Sequence, residues 1–261
     1  MTNENSGNGP GDKPLLGRVI IVTGAGTGIG QGIAIALAKK GAHLVIVGRT
    51  LETLKSTEKL VTDVGASIRC VQGSVADRET ATRTVAEAIA AFGRLDVLVN
   101  NAHTLSPPED YVSLEKTAEA NFRTHMESGF FGTLYFMQAA FPHLRERGGS
   151  IINTVSIAGL EAWATLSPYN AAKEAIRSLT RTASRDWGKY RIRVNAIAPA
   201  ARTWITDRYM SDPEFAKGIL ARKSLGYMGE PETDIGGVVV FFASDASQYV
   251  TGEIVKADGG M

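Results

Sequence analysis

Cysteine is almost absent from this chain of 261 residues: Cys70 is the only one, so no intrachain disulfide can form. Its setting in the apolar run SIRCV suits a buried, inert thiol. An excess of either charge is missing too. Lys and Arg number 28 against 27 Asp and Glu, a net charge of +1, which leaves no electrostatic footprint for nucleic acid or an anionic membrane. No apolar run approaches the roughly 18 residues that a membrane helix needs. The four histidines, His43, His103, His125 and His143, are scattered and have no cysteine partners, so no metal centre is expected. The first residues, MTNENSGNGPGDKP, have neither the basic nor the apolar region of a signal peptide. Their polar, Gly/Asn/Pro-rich composition reads as a disordered tail over 1–14, and a cytoplasmic protein is expected.

What is present is a core-forming composition, 44% hydrophobic and 21% charged, with nothing resembling a linker between 15 and 261. A single domain over 15–261 is the expectation. Strand candidates fall at 18–23, 43–48, 67–71, 95–100, 150–156, 192–198 and 253–258. Several are near-continuous Val/Ile/Leu runs, the pattern of strands buried on both faces. Helical stretches lie near 28–40, 50–63, 77–92, 114–146, 168–187 and 231–244. Alternating β and α segments imply an α/β fold, a doubly wound parallel sheet with helices on both faces. In such sheets ligands bind beyond the carboxyl ends of the strands, so functional residues are sought just after each strand.

After the first strand comes TGAGTGIG, 23–30, leading into QGIAIALAKKG. Glycines there allow a tight turn and a close backbone approach to a pyrophosphate, and a helix N-terminus offers free N–H groups. Gly24, Thr27, Gly28, Ile29 and Gly30 are therefore candidate dinucleotide contacts. An NAD site usually has an acid about 20 residues after the loop to hold the ribose 2′-OH. Here that position is Gly48, and Arg49 follows. A guanidinium can fork onto a 2′-phosphate with no carboxylate to oppose it, which favours NADP(H) over NAD(H). Thr50 is placed either to cap the next helix or to add a phosphate contact.

In SPYNAAKEAI, 167–176, Ser167 fits a helix N-cap and Pro168 the first turn. Tyr169 and Lys173 are four apart and share a helix face. A phenol titrates near 10, and an adjacent ammonium stabilises its anion, so the pair can exchange a proton with a carbonyl or alcohol oxygen. Ser156, just past a strand end in NTVSIAG, can hydrogen-bond the same oxygen.

TGAGTGIG, VNNA, Ser156, YNAAK, VNAIAP and the C-terminal DGG, in this order and spacing, resemble the short-chain dehydrogenase/reductase superfamily from about residue 15 onward. The resemblance implies a Rossmann-type seven-stranded sheet in a three-layer α/β/α arrangement and nicotinamide hydride chemistry. It implies Tyr169 as general acid/base, Lys173 as its activator and ribose contact, and Ser156 as ligand of the substrate oxygen. Asn101, Ala102, Ser74, Val75, Pro199 and Thr203 become further cofactor candidates.

Four positions depart from the family pattern. Gly129 stands where an asparagine usually holds a water that relays protons from the lysine. Either its carbonyl takes over at a helix bend, or the relay is weakened or rerouted. Ser74 replaces an aspartate beside adenine, His103 a glycine after VNNA, and Ala200 a glycine after Pro199. For His103, lining of the pocket, plain packing and a proton-relay role all stand open.

Residues 199–230 occupy the place of a substrate lid. Trp204, Tyr209, Met210, Phe215 and Met228 there, with Trp163, suit a moderately apolar alcohol or ketone, unless they pack only on the core or a partner subunit. The apolar FFGTLYFMQAAF suggests burial against another subunit, hence a homodimer or homotetramer. Two other functions compete with an NADP(H)-dependent dehydrogenase or carbonyl reductase. One is a catalytically weak nucleotide-binding sensor or scaffold, the other non-redox chemistry on the same fold.

Overall fold

The computed structural model describes residues 13–105 and 107–261. The expected tail, 1–14, lies outside the described residues except for Lys13 and Pro14. Seven parallel strands form one sheet in the order β3-β2-β1-β4-β5-β6-β7. They are β1 Val19–Thr23, β2 His43–Gly48, β3 Ile68–Gln72, β4 Val97–Asn100, β5 Gly149–Thr154, β6 Ile192–Pro199 and β7 Ile254–Ala257. This is the Rossmann-type, doubly wound α/β fold. Because β1 is flanked by β2 and β4, the strand order reverses there, and a crevice opens beyond its carboxyl end.

All five residues of β1 are buried. Side chains alternate across a strand, so Ile20 and Val22 face one layer and Val19 and Ile21 the other. The first layer holds Ile33 and Leu37 of α1 (Gly28–Lys39) and Val239 and Phe242 of α10 (Gly236–Ala243). The second holds Val85 and Ala88 of α3 (Arg78–Phe92) and Phe136 and Leu144 of α5 (Gly132–Arg147). Each fully buried side chain of this size stabilises the fold by about 1.5–3 kcal/mol. Polar groups fix the alignment of the central strands. The buried Asn100 amide donates to Asn153 Oδ1 (2.9 Å), and Asn153 donates to Thr180 Oγ1 (2.9 Å) on α7 (Ser167–Trp187).

Three expectations need correction. The stretch 114–146 is not one helix. After a short turn at Leu114–Lys116 it forms α4 (Glu119–His125), one π turn at Met126–Phe131, then α5. The π turn is centred on Gly129, where a side chain would collide with the His103 ring: a Cβ would lie 2.5 Å from His103 Cε1. In the same way 231–244 begins as a π turn, Pro231–Ile235, before α10. There a Cβ on Gly32 would lie 2.5 Å from the backbone of Pro231, so α1 and this turn meet through glycine. Finally, α7 starts one residue early. Leu166 takes the N-cap position expected for Ser167, Pro168 stays in the first turn, and the Ser167 hydroxyl is buried without a cap bond.

The first layer also takes Leu54 and Val61 of α2 (Leu51–Asp63), and the remaining short helices are α6 (Ile157–Leu160), α8 (Trp204–Met210) and α9 (Pro213–Ala221). Cys70 is half-buried in β3, with burial pushing its thiol up to about 11. That keeps it protonated near neutrality, although it is less buried than the sequence suggested. No helix among the described residues is long and apolar enough to cross a membrane, and no group of His, Cys, Asp or Glu among them could hold a metal ion.

Candidate active site

One cavity of about 640 Å3 opens beyond the carboxyl ends of the central strands. Every residue singled out in the sequence as catalytic or cofactor-binding lines it.

The glycine loop forms its floor. Gly24 and Gly28 adopt left-handed backbone, φ 66° and 57°. A Cβ on Gly30 would sit 2.2 Å from the Gly24 carbonyl, so only glycine permits the turn to close. Thr27 caps α1 with extended backbone, but its hydroxyl makes no cap bond. The free N–H groups and positive dipole end of α1 thus face the cavity with Ile29 beside them, a cradle suited to a pyrophosphate. Asn101 holds the loop in place, its amide donating to the carbonyls of Thr23 (3.0 Å) and Gly24 (3.2 Å). The buried Thr23 hydroxyl accepts from the backbone N–H of both Asn101 (2.9 Å) and Ala102 (3.0 Å). Thr23 stands in the quoted motif, yet only the β1–β4 juxtaposition reveals its anchoring role.

At one end of the cavity, Arg49 and Thr50 are exposed at its rim. Thr50 occupies the N-cap of α2 but its hydroxyl makes no cap bond, leaving it available to a ligand. Ser74 and Val75 line the wall beyond β3, the Ser74 hydroxyl accepting from Ala76 N (3.3 Å). At the other end are Ser156, Tyr169 and Lys173. Ser156 is the N-cap of α6, accepting from Ala158 N at 3.2 Å. The buried Lys173 donates to the carbonyl of Thr154 (2.8 Å), with Nζ 5.5 Å from the centre of the Tyr169 ring.

Burial sets the titration of both groups on α7. It pulls the Lys173 amine down to about 7. It pushes the Tyr169 phenol up, opposed by a hydrogen bond from Ser156 and reinforced by Tyr111. The expected lowering of the phenol by Lys173 is therefore not the dominant effect: an amine this desolvated carries only part of its charge near neutrality.

Pro199 and Thr203 close the cavity from the β6 side. Thr203 Cγ2 lies 3.4 Å from where a Cβ of Gly28 would be, so Thr203 sits against the glycine loop. Trp163, Trp204, Met210 and Met228 line the mouth, with Trp204 largely exposed. The side chains of Tyr209 and Phe215 lie outside the described residues. The sequence reading missed Leu105, Leu166, Ile219, Lys223 and Met261, which also line the cavity. They come from loops and helix ends that carry no motif.

Residues 24–261 match the family model described as Enoyl-(Acyl carrier protein) reductase, a short-chain dehydrogenase/reductase family. The chain belongs to the short-chain dehydrogenase/reductase family. It is 38% identical over 253 residues to the 12α-hydroxysteroid dehydrogenase of a Clostridium species, covering 94% of this chain and 96% of that protein. A solved structure provisionally assigned as a short-chain alcohol dehydrogenase from Sinorhizobium meliloti superposes with a TM-score of 0.89 at 36% identity, covering 96% and 98% of the two chains. Another, provisionally assigned as an NAD(P)-dependent gluconate 5-dehydrogenase from Beutenbergia cavernae and holding NADP at low occupancy, gives 0.86 at 34% identity, covering 96% and 98%. This short-chain dehydrogenase/reductase is thus an oxidoreductase acting at CH–OH or C=O groups.

Against the family pattern, two departures prove to be one feature. The His103 ring fills the space that a side chain at position 129 would take, since a Cβ there would lie 2.5 Å from Cε1 and 2.7 Å from Nδ1. Its Nε2 is 2.8 Å from Nδ1 of the buried His125, and its ring meets Tyr169 edge-on with centroids 5.0 Å apart. His125 is four residues before Gly129 in the sequence and was no candidate there. One helical turn with the π insertion brings it to the site. Ser128 Oγ accepts from Thr104 N (3.1 Å) and so pins the loop that carries His103.

Proposed function

We propose that this enzyme transfers hydride between NADP(H) and a secondary alcohol or ketone. The observation that carries the reading is the convergence of Ser156, Tyr169 and Lys173 in one cavity with a glycine-rich helix N-terminus. The nicotinamide, when bound, supplies or accepts the hydride. Gly24, Thr27, Gly28, Ile29 and Gly30 hold the pyrophosphate. Asn101 and Ala102 shape the loop. Ser74 and Val75 border the adenine, and Pro199 and Thr203 the nicotinamide side. Ser156 holds the substrate oxygen, and Tyr169 gives it a proton or takes one from it. Lys173 binds the ribose and, when protonated, offsets the charge of the phenolate.

Arg49 beside Gly48 supports NADP(H): the rim has a cation and no side chain where an acid would repel a 2′-phosphate. Residues 199–230 act as the lid. A mouth lined by Trp163, Leu105, Met210 and Met228 favours a moderately apolar substrate. Phe131 is 39% exposed and stacks near Tyr135, which supports assembly as a homodimer or homotetramer through α4 and α5.

The test is cofactor consumption over cyclohexanone, acetophenone and benzil with NADPH and with NADH. Wild type is expected to prefer NADPH. Arg49→Ala is expected to lose roughly tenfold of that preference, the worth of one charge-assisted contact. An unchanged preference contradicts the cofactor assignment, and no consumption of either cofactor contradicts the reaction.

A further inference from the structure

We propose that His103 and His125 form a two-imidazole proton relay joining the Tyr169–Lys173 pair to the surface loop that carries Asp110. The inference rests on the reading of Tyr169 as proton donor and acceptor.

Four observations converge. The two rings are hydrogen-bonded, His103 Nε2 to His125 Nδ1, at 2.8 Å. Both pack edge-on against Tyr169, with centroid distances of 5.0 and 5.9 Å. His103 Nδ1 is enclosed and has no hydrogen-bond partner among the described residues, so one end of the pair is a ready donor or acceptor inside the site. The ring is also held where it is by the loss of a side chain at Gly129.

The charges acting on the pair are few. Lys173 bears on both rings and Asp110 on His125, while Tyr111 bears on Tyr169. Burial and Lys173 hold both imidazoles below their usual range, so near neutrality each has one N–H and one lone pair. A hydrogen-bonded pair in that state passes a proton by exchanging tautomers.

In carbonyl reduction the O–H bond of Tyr169 breaks as the substrate oxygen takes its proton. The Nδ1–H bond of His103 breaks to restore the phenol through one bridging water, since Nδ1 makes no direct hydrogen bond to the phenol. His103 takes a proton from His125, and His125 takes one from solvent on the Asp110 side. One proton is consumed per carbonyl reduced, and no electron moves through the pair. Alcohol oxidation runs the same path outward.

The experiment compares wild type, His125→Gln and His103→Gly with NADPH and benzil, in a single turnover and in the steady state. A relay predicts a first-turnover hydride transfer within about threefold of wild type, because Tyr169 starts with its own proton. It predicts a steady-state rate down by about tenfold, within the range of acid–base effects, with added imidazole restoring His103→Gly severalfold. Should His103→Gly fail to fold, His125→Gln carries the test. Equal losses in both rates without rescue mean that the pair only packs, which overturns the relay, as does an unchanged steady-state rate. If wild type itself consumes no NADPH, the parent reading falls and the relay with it.

Discussion

Tyr169→Phe is expected to lower turnover by about 10²–10⁴-fold, the usual worth of a positioned acid–base group, while the dissociation constant for NADPH stays within a few-fold. The phenol oxygen is the one atom removed. The ring still fills its place against His103 and His125, and the glycine loop is anchored by hydrogen bonds between Thr23 and Asn101 in which the phenol takes no part. Steady-state kinetics and a fluorescence titration of NADPH read the two quantities separately. Retained turnover contradicts the role given to Tyr169. A parallel loss of NADPH binding shows instead that the variant damaged the cofactor site.

The second large effect is expected at the His103–Gly129 contact. Gly129→Asn in the wild-type background forces a Cβ to within 2.5 Å of His103 Cε1. Displacing the imidazole strains its 2.8 Å bond to the buried His125. Overpacking of this kind costs about 1–3 kcal/mol, a fall in Tm of roughly 2–4 °C for each kcal/mol in a chain of this size. In a His103→Gly background the same substitution enters open space and should be neutral or stabilising. Thermal melts of the four proteins give the coupling directly. Additive effects contradict the idea that the two departures compensate each other.

Much of the fold was legible in the sequence because strands buried on both faces announce themselves as Val/Ile/Leu runs, as β1 and β2 do. The glycine loop, Ser156, Tyr169 and Lys173 were legible because their chemistry fixes their spacing. The π turns were not. Periodicity sees an apolar helix over 114–146, whereas the turn at Met126–Phe131 packs its Gly129 against a ring from the loop after β4, more than twenty residues earlier. His125 was missed for the same reason: its partner lies across a contact that only the folded chain makes. Burial likewise reversed the expectation for Tyr169. The Tyr–Lys spacing suggests a depressed phenol, but the depth of α7 in the site cannot be read from four residues of separation.

The central claim is hydride transfer at this cavity, and isotope tracing tests it most directly. NADPH carrying deuterium at the transferring position of the nicotinamide, incubated with enzyme and benzil, should yield an alcohol with one deuterium on the carbinol carbon. NADP+ should form in equal amount. An alcohol formed without deuterium, or NADPH consumed with no alcohol formed, contradicts the account.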